Sequence, residues 1–120
     1  MLLVAALLAP STPEPPVQPP PEVILAETDA CNCWQFIKNR YIPDLPNTSS
    51  LIPSVDAQIG AVALFVYPNG VNHYAYVTGL SEGHLTVREA NYSKCKIGTR
   101  VIPLVDPALR GFWGKLTSTE

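Results

Sequence analysis

The chain is short of charge. It has eight Lys and Arg and ten Asp and Glu in 120 residues, and from Glu27 onward the two signs balance at eight each. No basic stripe offers a nucleic-acid footprint, and no run of like charge forms an interaction tail. It also lacks an apolar run of the roughly 20 residues that a membrane helix needs. The apolar opening, Met1 to Ala9, has the length of a signal-peptide core but no positive residue ahead of it. Three readings stand for it: the stub of an export or anchor segment, which would tether the domain to a membrane, a weak signal, or a disordered apolar tail. Cysteine is scarce and odd in number: Cys31, Cys33 and Cys95. In an exported protein at least one thiol then stays free or pairs between chains. No internal repeat is present.

Proline is unevenly spent. Seven of the thirteen fall between Pro10 and Pro21, where fixed φ and missing N–H groups preclude a helix or a central strand. Residues 1–22 therefore read as an apolar stub and an extended, polyproline-like linker. A single folded domain is expected over 23–116, with a tail at 117–120.

Within that domain, residues 31–42 read as a helix. Trp34, Ile37 and Tyr41 fall at helical spacing beside Phe36, while Gln35, Lys38 and Asn39 face outward. Asp29 or Asn32 is the N-cap, and Pro43 ends the helix. After Gly60 the pattern changes to strands. Ala61–Tyr67 is an apolar run closed by Pro68-Asn69-Gly70, and His73–Leu80 follows. His84–Tyr92 alternates beyond the turn Ser81-Glu82-Gly83, and Ile97–Leu104 and Gly111–Leu116 are two further short strands. The expected class is α+β: one helix packed on about five short antiparallel strands.

The residues that carry chemistry are Cys33, His73, Glu89 and Asn91. Cys33 lies in the first turn of the helix with either N-cap, where free N–H groups and the helix dipole favour a thiolate. Its own N–H is a candidate oxyanion donor. An imidazole beside it would complete an ion pair and later protonate a leaving group. His73 opens a strand. Glu89 and Asn91, two apart, are expected on one face of the next strand, and either is placed to hold the imidazole through Nδ1–H. The bland alternatives are a Cys33 that is a small buried hydrophobe and a Glu89 that is a surface carboxylate paired with an arginine such as Arg100. His84, beside a turn, is expected to be an exposed bystander.

In order, Cys33-Trp34-Gln35-Phe36-Ile37, Gly60-Ala61-Val62-Ala63-Leu64-Phe65, His73-Tyr74-Ala75-Tyr76-Val77, Glu89-Ala90-Asn91-Tyr92, Arg100-Val101-Ile102 and Gly111-Phe112-Trp113 resemble the CHAP family. These are the cysteine- and histidine-dependent amidohydrolases and peptidases, relatives of NlpC-type cell-wall hydrolases. The resemblance runs through about residues 30–116. It implies a papain-like core and cleavage of peptidoglycan, as an amidase or an endopeptidase, by a secreted or cell-envelope bacterial protein or by a phage lysin or virion component. It implies Cys33 as nucleophile, His73 as base and acid, and Glu89 or Asn91 as the orienting residue, with no cofactor and no metal, in a monomer. Two departures are Ala61, where the family often has an acidic residue, and the short segment between helix and first strand. Cys31 competes with Cys33, but the register of Phe36 and Ile37 fits Cys33 better.

Three rival readings stand beside this one. Cys31, Cys33, His73 and Cys95 form a Cys₃His set, a legitimate tetrahedral zinc combination, though Cys-x-Cys is tight for a knuckle. The others are a non-catalytic wall-binding module and a toxin or effector hydrolase on the same fold.

Overall fold

A computed structural model describes residues 29–115. The expected stub, linker and tail lie outside the described residues. One short helix, α1 (Cys33–Arg40), is followed by a 3₁₀ turn at Thr48–Ser50 and five strands. These are β1 (Val62–Val66), β2 (Asn72–Ser81), β3 (His84–Ala90), β4 (Ile97–Pro103) and β5 (Leu109–Trp113). The strands form one antiparallel sheet in the order β4-β3-β2-β1-β5. The α+β class is as the sequence pattern suggested. Among the described residues no helix is long and apolar enough to cross a membrane.

The helix is shorter than the expected 31–42. Asn32 is the N-cap, with extended backbone (φ −144°) and a side chain that accepts from the Gln35 N–H at 2.9 Å. Asp29, the other candidate, instead takes a 2.6 Å bond from the Asn39 amide. At the far end Ile37 C=O receives the N–H groups of both Tyr41 and Ile42, and Pro43 follows. Cys31 is outside the helix and is bonded to Cys95.

Strand alternation divides the core between the two faces of the sheet. Val62, Leu64, Tyr74 and Ala90 pack with Phe36 and Ile37 of α1 and with Ile42, Leu45 and Leu51 after it. Ala63, Phe65, Ala75, Val77, Leu85, Val87 and Ile102 form the second cluster, closed by Ala108 and Phe112. Trp34 and Tyr41 are half-buried rather than central. Trp34 donates its indole N–H to Pro46 C=O at 2.8 Å, and Tyr41 stacks on Tyr76 with centroids 3.9 Å apart. Gly111, at φ 145°, has Pro53 so close that a Cβ would sit 2.9 Å from its ring. No side chain fits there, and this close approach brings the 53–55 segment onto β5, where Val55 bridges Phe112.

Candidate active site

Cys33 is the first residue of α1, so its N–H belongs to the first turn, where helical N–H groups have no intrahelical partner. It is partly buried and is the free cysteine among the described residues. Cys31 competes with it no longer, because the Cys31–Cys95 disulfide takes that thiol. The same bond withdraws two of the four ligands that a Cys₃His zinc site would need.

His73 is the second residue of β2 and is buried. Antiparallel pairing puts it opposite Phe65. Phe65, Tyr67 and Tyr92 surround the imidazole at ring-centroid distances of 5.9, 6.1 and 6.1 Å. Glu89 is on the adjacent strand, one position beyond Arg88, which pairs with Tyr76. It therefore lies diagonal to His73 on the same face, along with Leu85 and Val87. Glu89 is 2 % exposed.

The carboxylate has three donors. Oε1 lies 2.8 Å from His73 Nε2 and accepts from Arg100 Nη2 at 3.1 Å, and Oε2 accepts from Arg100 Nε at 2.5 Å. The contact to His73 is through Nε2, not the Nδ1 expected from sequence. Nδ1 is the ring nitrogen that Glu89 leaves free, and Cys33 is the other residue that favours protonation of the ring. The order is thus thiol, imidazole, carboxylate, guanidinium.

Electrostatics follow this chain. Burial alone would lower the His73 pKa. Hydrogen bonds to Cys33 and Glu89, with the charges of both, outweigh it and push the pKa up to about 9. Burial alone would raise the Glu89 carboxyl. Hydrogen bonds from His73 and Arg100 hold it below the usual carboxylate value instead. The Tyr74 hydroxyl is raised by burial and next by the charge of Cys33. Among the described residues no buried side-chain nitrogen or oxygen lacks a partner.

Asn91 departs from expectation. β3 ends at Ala90, and Asn91 adopts φ 69°, so the two-residue alternation that would have aligned it with Glu89 is broken. Its Oδ1 accepts from the Cys95 N–H at 2.7 Å, which organises the turn closed by the disulfide. Asn91 does line the cleft at His73, of about 270 Å³, with Tyr67, Asn69, Val71 and Tyr92. His84 is exposed, its Nδ1 3.1 Å from Glu82 C=O.

No family model, curated protein or solved structure matches the chain. What the site can do follows from its own chemistry. A thiol at a helix start, an imidazole and a buried carboxylate form the arrangement of an activated sulfur nucleophile. Among the described residues no group of three or more His, Cys, Asp or Glu is placed to hold a metal.

Sequence reasoning passed over Tyr67, Tyr92 and the true place of Arg100. Arg100 is the expected partner of Glu89, but the pair is not a surface one. Its guanidinium also donates to Tyr67 Oη at 3.1 Å and lies 3.5 Å from the Tyr92 ring centroid. One signal was present: Arg100 is two residues from Ile102, so it shares that residue's inward face, where an arginine requires a partner.

Proposed function

We propose that the chain is a cysteine hydrolase of amide bonds, with a papain-like, CHAP-type core, that acts on peptidoglycan as an amidase or endopeptidase. The observation that carries this reading is the buried His73 imidazole held by the Glu89 carboxylate at 2.8 Å, with the free thiol of Cys33 also favouring its protonation. A His73 pKa of about 9 favours an imidazolium at neutral pH, the form that pairs with a thiolate. The sequence motifs between Cys33 and Trp113 supply the substrate class. The Cys31–Cys95 disulfide fits an extracellular or envelope setting, bacterial or phage-encoded. Peptidoglycan is the proposed partner of a monomeric domain.

The reaction follows from these groups. The Cys33 sulfur attacks the amide carbonyl carbon, and the Cys33 N–H at the helix start receives the negative oxygen. The tetrahedral adduct collapses as the C–N bond breaks, and the His73 Nδ1 proton goes to the departing amine. This leaves a thioester and a neutral imidazole. Nδ1 then takes a proton from water, whose oxygen attacks the thioester carbonyl. The C–S bond breaks, and the products are a carboxylic acid and the thiolate–imidazolium pair. Glu89 holds Nε2–H throughout, so that Nδ1 is the nitrogen that exchanges protons.

Incubating the protein with purified peptidoglycan and weighing the released fragments by mass spectrometry tests this reading. New amine and carboxyl ends that depend on Cys33 support it. Intact peptidoglycan, under conditions where Cys33 is alkylated by iodoacetamide and so reactive, sinks it.

A further inference from the structure

A second cleft adjoins the site. It has a volume of about 320 Å³ and shares Tyr92 with the cleft at His73 and Glu89 with the catalytic chain. Ser93, Lys96, Gly98 and Arg100 are also among its lining residues. Gly98 contributes no side chain, and a Cβ there would meet nothing within 4 Å, so the space over β4 is clear.

The charges around this cleft are lopsided. Two basic residues, Lys96 and Arg100, line it against the single acidic Glu89. Glu89 is buried and offset by Arg100. Arg88 is occupied with the Thr99 hydroxyl at 3.1 Å, and Arg100 with Glu89, Tyr67 and Tyr92. The Lys96 ammonium has no hydrogen-bond or ion-pair partner among the described residues. It lines a cleft whose one acidic group is already offset by Arg100. The Ser93 hydroxyl is a donor in the cleft lining, whereas the Thr99 hydroxyl accepts from Arg88 on the opposite face of the sheet.

We propose that this cleft is an anion subsite, in which Lys96 with the Ser93 hydroxyl binds a carboxylate of the peptide on which Cys33 acts. The proposal rests on the hydrolase reading above and adds the feature that selects the substrate. The peptide would cross Tyr92, with its scissile amide at His73 and a free carboxylate on the far side. A volume of about 320 Å³ lies at the lower end of the range for drug-sized ligand pockets, which suits one acidic residue and not an extended glycan. An exposed lysine contributes modestly, so the expected preference for a carboxylate over an uncharged amide is about threefold to tenfold.

The test is binding of soluble muropeptides to the full chain carrying Cys33→Ala, by calorimetry. One ligand sample keeps its carboxyl groups, and the other has them converted to methylamides. Free carboxyls are expected to bind about threefold to tenfold tighter. Adding Lys96→Gln should bring that ratio to about one without changing affinity for the methylamide, which also shows an intact fold. Equal affinities in the Cys33→Ala protein, a preference that survives Lys96→Gln, or binding of neither ligand overturns the subsite. Hydrolysis of both ligands by the unaltered chain separates the two claims. If neither is cut, the cysteine hydrolase reading fails. If both are cut with equal KM, only the subsite fails.

Discussion

His73 Nε2 lies 2.8 Å from Glu89 Oε1, on a diagonal between neighbouring strands and away from solvent. The partnership depends on register. A slip of one residue in β3 would turn Glu89 to the helix face and bring Arg88 or Ala90 in its place. The packing of Leu85 and Val87 in the same row guards against that slip. The core residues of β3 thus aim the carboxylate as well as stabilise the sheet.

Removing that carboxylate should move the pH profile. In Glu89→Gln the imidazolium loses a negative partner, so the His73 pKa should fall from about 9 and the alkaline limb of kcat should shift to lower pH. The rate should also drop. Breaking a buried pair costs about 3–5 kcal/mol, so thermal unfolding must be followed alongside. Asn91→Ala should slow turnover with little movement of that limb, because its Oδ1 is committed to the Cys95 N–H. An alkaline limb that ignores Glu89→Gln would remove Glu89 from the orienting role.

Arg100→Gln should act in the opposite sense on the same limb. It removes a cation that competes with His73 for Glu89, so the His73 pKa should rise above about 9. The Glu89 pKa should rise too, because one of the charges holding it down is gone. Arg100→Lys should restore the charge without the two-point grip on the carboxylate. Titration of the His73 ring proton by NMR reads the shift directly. A value that falls in Arg100→Gln contradicts a carboxylate shared between imidazole and guanidinium.

The linkage to stability has a definite window. His73 has a folded pKa raised above its unfolded value of 6.5. Its contribution is fully present below about pH 6.5 and is lost as pH rises through about 9. Replacing Cys33 with Ala removes the stronger of the two hydrogen-bond partners that raise the ring. The ring should then titrate lower, and the loss of stability, which still begins near pH 6.5, should be smaller and complete at lower pH. Urea midpoints at intervals between about pH 6 and 10 check this. Identical profiles for Cys33→Ala and the parent would mean that the thiol and ring do not interact.

Much of this was legible in the sequence, and the reasons differ by element. The strands were readable because alternation and the turns Pro68-Asn69-Gly70 and Ser81-Glu82-Gly83 are local signals. The helix start was readable to within two residues, since Asn32 and Asp29 are both good caps. Three things were not. The Cys31–Cys95 pairing joins residues 64 apart, and no local pattern encodes it. Asn91 leaves the strand at positive φ, in a turn where its N–H goes to Lys96 C=O and its Oδ1 takes the Cys95 N–H, so strand parity carried one residue too far. The nitrogen of His73 that meets Glu89 depends on where the ring enters the space between strands, which is a tertiary matter.

The two histidines should separate cleanly. His73→Ala should lose about 10²–10⁴-fold in turnover, the usual scale of acid–base catalysis. His84→Ala, at an exposed residue, should lose less than about tenfold on that scale. Peptidoglycan turbidity clearance at one enzyme concentration is enough to rank them. The reverse order would place the proton-transfer group elsewhere in the fold.

The last prediction concerns the disulfide. Cys31 is two residues before Cys33, and Cys95 lies in the turn that leaves the Glu89 strand. The bond therefore ties the start of the nucleophile's helix to the end of the carboxylate's strand, and it closes a long loop. A disulfide of this kind contributes about 2–4 kcal/mol. The double replacement Cys31→Ser with Cys95→Ser should lower the unfolding free energy by that order and leave the Cys33 thiol in place. Iodoacetamide should label one cysteine in the oxidised parent, Cys33, and one in the double variant. Activity should survive in the variant at temperatures where it stays folded, with a KM or kcat penalty from a looser site. Abolition of activity in a folded double variant would mean that Cys31 or Cys95 takes part in the chemistry. Labelling of more than one thiol in the parent would mean that the bond does not form.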